Sequence, residues 1–77
     1  MKTTMKTTMK RSVEGRVRYY TFELIPNLFG EWVLLRTYGS MKRLKPTGTK
    51  SEVFSTAADA VQSMESLISL KKKKGYV

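Results

Sequence analysis

The sequence predicts an α+β fold in which a small antiparallel sheet of three to four strands is covered by one C-terminal α-helix. Residues 16–25 and 31–38 each alternate with the two-residue period of a strand, and turn residues separate them. A third alternating segment spans residues 50–54. From residue 57 onwards, apolar residues recur at the spacing of one helix face. At 77 residues, these elements suffice for one domain with a two-layer core.

The first predicted strand, residues 16–25, is rich in aromatic and β-branched residues, which favour sheets. Its alternation places Tyr20, Phe22 and Leu24 on one face. Pro26 ends the strand, and Gly30 provides a residue that can adopt turn conformations. We therefore expect the first two strands to form a hairpin.

The second predicted strand begins near Trp32, which we expect to pack in the core because a single Trp in so small a domain usually does. After Gly39, we expect the chain to leave the sheet. It would then enter a basic loop that contains Lys42, Arg43 and Lys45. Three cations in four positions are not needed for folding, so this loop is a candidate phosphate contact, with a merely solvated loop as the alternative.

The helix has signals at both ends. Either Ser55 or Thr56 can cap it, and Asp59, three residues after Thr56, has the spacing of a capping box. Cations at 71–74 suit the negative end of the helix dipole, and Gly75 is the residue type that closes helices. Four consecutive lysines exceed what the dipole requires, so at least one should project towards the side of the sheet.

We predict that residues 1–15 form a disordered basic leader and that the single domain spans residues 16–77. The repeat MKTTMKTTMK is rich in Thr and Lys, and leaves too little apolar surface to bury. Its methionines have helical spacing, which leaves open a narrow apolar stripe that contacts a membrane or a partner.

The charge distribution favours a polyanionic partner. The net charge is +9, and residues 1–18 contribute +5 of it through six cations and one Glu. With no Cys and no His, disulfides, Cys or His zinc sites and His-based catalysis are excluded. The sequence has no apolar run of membrane-spanning length, and we expect a soluble cytoplasmic protein with no membrane partner.

We do not expect an enzyme. The six carboxylates are dispersed along the chain, and no pair of them is placed for acid/base catalysis. A domain of this size also has little room for a deep substrate pocket. We therefore expect no small-molecule substrate, no cofactor and no metal.

Residues 18–77 resemble the WGR domain, a small module of poly(ADP-ribose) polymerases and many bacterial proteins. The residues that carry the resemblance are Trp32, Leu34, Arg36, Tyr38, Gly39, Gly48, Ala60, Lys74, Gly75 and Tyr76. The resemblance implies a small antiparallel sheet with one helix packed on it, with Tyr76 folded back onto the core. It also implies a DNA-end reader, in which the signature Trp packs on a nucleotide sugar and nearby cations hold phosphates.

The chain departs from the family within the signature itself. Where the family has Trp-Gly-Arg, this sequence has Tyr38, Gly39 and Ser40. Tyr can still stack on a sugar or base. A hydroxyl cannot replace the bidentate phosphate contact of a guanidinium, so Lys42 or Arg43 would have to compensate.

These observations give a non-catalytic nucleic-acid-binding module as the first hypothesis, with DNA favoured over RNA. The expected contacts are Arg36, Tyr38, Lys42, Arg43, Lys45, Lys71, Lys72, Lys73 and Lys74. Structural roles remain open for two of them, because Arg36 could brace the sheet and Tyr38 could pack. The alternative hypothesis is a protein-interaction module that uses a sheet edge or an aromatic surface.

Overall fold

The computed structural model describes residues 5–42 and 45–77, and it contains four strands followed by one helix. The elements are β1 (Met5–Val13), β2 (Arg16–Pro26), β3 (Trp32–Ser40), β4 (Gly48–Phe54) and α1 (Ala57–Lys73). The strands form one antiparallel sheet in the order β1-β2-β3-β4, so each strand pairs with its neighbour in sequence. The helix contacts β2, β3 and β4. The predicted α+β architecture is therefore confirmed.

The core lies between the helix and one face of the sheet. Tyr20 pairs with Met9 on one side and with Tyr38 on the other, so the three side chains share that face. The buried apolar residues are Met9, Tyr20, Phe22, Leu24, Leu34, Ala60 and Met64. Tyr20, Phe22 and Leu24 thus point inwards together, as the alternation in β2 predicts. Trp32 and Tyr76 are partly buried against this core.

The prediction of a disordered leader is wrong for Met5–Val13, which form strand β1 and pair with residues 16–24 of β2. Met9 is only 3% exposed and belongs to the core. The MKTT repeat is four residues long, which is twice the two-residue side-chain period of a strand. Met5 and Met9 therefore lie on the same face of the sheet. Thr is β-branched and suits a strand. Residues 1–4 lie outside the described part of the chain.

The prediction that the chain leaves the sheet at Gly39 is also wrong. β3 continues to Ser40, and the backbone of Met41 still donates to the carbonyl of Val17 at 2.9 Å. On the other side, the amide of Thr47 donates to the carbonyl of Tyr38 at 2.8 Å. Pairing on both sides therefore holds this end of β3 in the sheet.

The turn and cap predictions are confirmed. The Asn27 side-chain oxygen accepts from the amides of Phe29 and Glu31 in the turn between β2 and β3. The Thr56 hydroxyl accepts from the amide of Asp59 at 3.2 Å and caps the helix. The helix closes before Gly75, whose φ is +101°. No helix of the described residues is long and apolar enough to cross a membrane.

The burial of Met9 gives a direct test of the role of β1. Met9→Ala should lower the free energy of unfolding by about 2–5 kcal/mol, because it leaves a cavity beside Tyr20. Met5→Ala is the matched control, since Met5 lies in the same strand but is 42% exposed, and its cost should be about 1 kcal/mol or less. Urea denaturation measures both values. Equal, small effects would contradict the assignment of β1 to the folded core.

Candidate nucleic-acid interface

A concave pocket of about 540 Å³ lies where the start of β2, the end of β3, the start of β4 and the end of α1 meet. We call it the basic pocket. Its described lining residues are Arg16, Arg18, Tyr19, Tyr20, Tyr38, Gly39, Ser40, Thr47, Lys50, Lys71 and Tyr76. Since these residues come from every layer of the domain, the pocket exists only in the folded chain.

Four cations line the basic pocket: Arg16, Arg18, Lys50 and Lys71. No Asp or Glu stands among its described lining residues. Glu52, on the same strand as Lys50, instead pairs with Arg36, with 2.9 Å between the guanidinium nitrogen and the carboxylate oxygen. The pocket therefore concentrates positive charge in a concave surface, which is the electrostatic arrangement that attracts phosphate groups.

Lys71 reaches over the aromatic residues of the pocket. Its Nζ lies 4.3 Å from the ring centroid of Tyr20 and 5.6 Å from that of Tyr76, in two cation–π contacts. Burial lowers the pKa of Lys71 below its ordinary value, and the charges of Lys74, Arg36 and Lys50 lower it further. An anion that entered the pocket would relieve this repulsion.

Four tyrosines line the pocket, and three of them, Tyr20, Tyr38 and Tyr76, are in ring contact. The rings of Tyr20 and Tyr38 stack with centroids 5.4 Å apart, and Tyr76 meets Tyr20 edge-on at 6.3 Å. Tyr38 lies across Gly48, where an added Cβ would overlap the phenol ring. Gly48 therefore allows Tyr38 to lie along the sheet. Tyr38 is half-buried and lines the pocket, and its stacking role stays a prediction.

Arg36 bridges two strands and does not stand among the described lining residues of the pocket. Its pairing with Glu52 joins β3 to β4. Its Nε is buried without a hydrogen-bond partner in the described residues. Its charge still acts on Lys71. These observations favour the bracing role, and the proposed phosphate contact stays a prediction.

Most of the predicted loop and helix-end lysines do not stand among the described lining residues of the pocket. Lys42 and Lys45 are exposed, on a loop that leaves β3 after Ser40 and returns through Thr47, and both of these loop ends line the pocket. Arg43 lies outside the described residues. Of the helix-end lysines, only Lys71 stands among the described lining residues, whereas Lys72, Lys73 and Lys74 are exposed.

Sequence reasoning missed Arg16, Arg18 and Lys50 as site residues. The signal for the first two was present, because the alternation that puts Tyr20 on the inner face also puts both arginines there. Lys50 lies opposite Arg36 in the register between β3 and β4, which the sequence does not specify. No group of three or more His, Cys, Asp or Glu that could hold a metal occurs within the described residues.

Comparison with known proteins supports the resemblance. The sequence model of the WGR domain matches residues 2–77. An uncharacterised protein, y4dW, from Sinorhizobium fredii (strain NBRC 101917 / NGR234) is 38% identical over 63 residues. The match covers 77% of this chain but only 28% of that relative, whose name states no function. No solved structure matches the chain significantly.

The pocket charges should be visible in the titration of Lys71. Its pKa should lie below the ordinary value of 10.5, so the folded state binds this proton less tightly than the unfolded chain does. The lowered pKa therefore costs stability at neutral pH, and this cost is relieved as the pH rises from the folded-state pKa to the ordinary value of 10.5. NMR detection of the Lys71 side chain across a pH series measures the midpoint.

One variant and its control test the electrostatic cause of the lowered Lys71 pKa. Lys50→Gln should raise the pKa of Lys71, because it removes one of the repelling charges. Lys6→Gln is the control, since Lys6 lies on the opposite face of the sheet. If the titration midpoint of Lys71 is the same in Lys50→Gln as in the wild type, the electrostatic coupling across the pocket is contradicted.

Proposed function

Because the chain belongs to the WGR domain family, we propose that it is a non-catalytic nucleic-acid-binding module that contacts the phosphate backbone of DNA, particularly at strand ends. The basic pocket is the proposed contact site. Electrostatics would supply most of the affinity, and aromatic contacts with sugar or base would add to it. Binding would be independent of base sequence.

The observation that carries this proposal is the convergence of four cations and four tyrosines, with no acidic group among the described lining residues. A fold of this size has little reason to hold like charges together, since their repulsion opposes folding. A bound phosphate would offset that repulsion by forming charge-assisted hydrogen bonds with arginine and lysine.

We assign the roles by position. Arg18, Lys50 and Lys71 would hold phosphate oxygens, and Tyr38 would contact the sugar. The surrounding cations would extend the positive surface along a strand. They are Arg36, Lys42, Arg43, Lys45, Lys72, Lys73 and Lys74.

The shape of the pocket favours a strand end over an intact duplex. A concavity of about 540 Å³ falls in the range that encloses small ligands, so it could take a terminal nucleotide. The convex flank of a duplex would instead leave much of the pocket unfilled. We therefore expect tighter binding to a duplex with a 5′-phosphorylated break than to the same duplex without one.

Removal of two pocket cations tests the proposal. Arg18→Gln with Lys50→Gln should weaken binding to the broken duplex at least about tenfold at low salt. The dependence of log affinity on log salt concentration should become shallower by about two, one for each lost phosphate contact. Fluorescence anisotropy over a salt series measures both quantities, with an RNA duplex of equal length tested in parallel.

The matched control is Lys6→Gln with Lys10→Gln, which removes the same charge from the opposite face of the sheet. This variant should keep most of the affinity and most of the salt dependence. If the two double variants lose affinity equally, binding is a diffuse effect of net charge and the pocket assignment is wrong.

The altered signature gives a second test, in which a substitution should raise the affinity for DNA. Ser40 lines the pocket, so Ser40→Arg should restore the guanidinium of the family signature beside Arg18, its partner in β2. Affinity for the broken duplex should rise, and the salt dependence should steepen by about one. Ser40→Gln controls for side-chain length. Unchanged affinity in Ser40→Arg would show that no phosphate approaches Ser40.

A further inference from the structure

The turn between β2 and β3 exposes two large apolar side chains. Leu28 is 92% exposed and Phe29 is 85% exposed, and neither belongs to the side chains packed against the core. We call this pair the apolar prong. Large apolar side chains grouped at one exposed site commonly mark an interaction surface.

The prong is held in a defined conformation. The Asn27 side-chain oxygen accepts from the amides of Phe29 at 3.0 Å and of Glu31 at 2.9 Å. The backbone amide of Asn27 also donates to the carbonyl of Glu31 at 2.9 Å, which closes the turn. Gly30 has a φ of +77°, which a side chain would strain. A partner would therefore lose little conformational entropy in binding this turn.

The surroundings of the prong differ in charge from the basic pocket. Residues 19–35 contain no Lys or Arg. Glu31 lies within the turn and Asp59 lies in the first turn of the helix that follows β4, whereas Glu52, near the same end of the sheet, is paired with Arg36. The turn itself therefore offers less to nucleic acid or to an anionic membrane than the basic pocket does.

The same charges argue against a second copy of the chain. A two-fold contact between prongs would bring the acidic groups of both copies together, which is unfavourable. The charges instead complement a surface whose apolar cleft has a cationic rim. Trp32 and Phe54, which pair at the base of the turn and are half-buried, would extend the apolar contact.

We propose that the apolar prong docks into an apolar cleft with a cationic rim on a partner protein. The prong and the basic pocket lie at opposite ends of β3, whose nine residues span about 26 Å. The two sites can therefore be occupied at once. The domain would connect a protein to a phosphate-bearing ligand, with Phe29 as the main anchor.

Photocrosslinking followed by reconstitution tests this proposal. The full chain, with Phe29 replaced by p-benzoylphenylalanine, is expressed in the organism that encodes it and irradiated. The same replacement at Leu70, which is 53% exposed on the helix, is the control. We expect one protein adduct specific to position 29. That protein is then purified, and its affinity for the wild-type chain is measured by calorimetry.

Substitutions in the turn test which residues contact the purified partner. Leu28→Ser with Phe29→Ser should weaken binding of the purified partner at least about 30-fold, as expected for loss of an interface hot spot. Glu31→Lys should weaken it further through repulsion by the cationic rim. Leu70→Ser, and Arg18→Gln with Lys50→Gln, should leave it unchanged. The last variant separates this proposal from the pocket proposal, since only DNA binding depends on the pocket.

Several outcomes would overturn the proposal. The first is an adduct pattern at position 29 that does not differ from the pattern at position 70. The second is an adduct with nucleic acid, lipid or a second copy of the chain. The third is full affinity of the double Ser variant for the purified partner. The substituted side chains are exposed except that of Glu31, which is half-buried and accepts a hydrogen bond from Asn27. Thermal unfolding should show that each variant keeps its fold.

Discussion

The packing of Tyr20 is the interaction on which the rest of the structure depends. Its ring stacks with Tyr38, meets Tyr76 edge-on and lies under the Lys71 ammonium. In the sheet, it lies between Met9 of β1 and Tyr38 of β3. One side chain thus links three strands, the helix end and the C-terminal segment. Because the same ring lines the basic pocket, core packing and the proposed phosphate site share one residue.

The C-terminal segment is held by the strand nearest to it. The backbone of Val77 exchanges two hydrogen bonds with Lys10 of β1, each 2.9 Å long. These bonds place Tyr76 against Tyr20 and protect part of the outer edge of β1. A segment with the composition of a disordered leader is therefore needed to fix the last residues of the chain. The basic pocket depends on this contact, since Tyr76 and Lys71 both line it.

The charge of the chain is unevenly distributed in the fold. Cations gather at the end of the sheet where β2 begins, and residues 19–35, which include the opposite turn, carry none. An even distribution of the same charge would reduce repulsion and still provide solubility. The separation instead creates two surfaces of different chemistry at the two ends of the sheet. This arrangement fits the proposal that the domain joins two unlike partners.

The sequence by itself determined the local features: the β2–β3 turn, the Thr56 cap, the helix face and the inward face of β2. These follow from short-range periodicity and side-chain chemistry, which a linear reading contains. Only the tertiary structure decided that the leader is a strand, because its stability comes from pairing with β2 and not from its own composition. The basic pocket was likewise decided by register and by the position of the helix end. These bring Arg18, Lys50 and Lys71 together from distant parts of the chain.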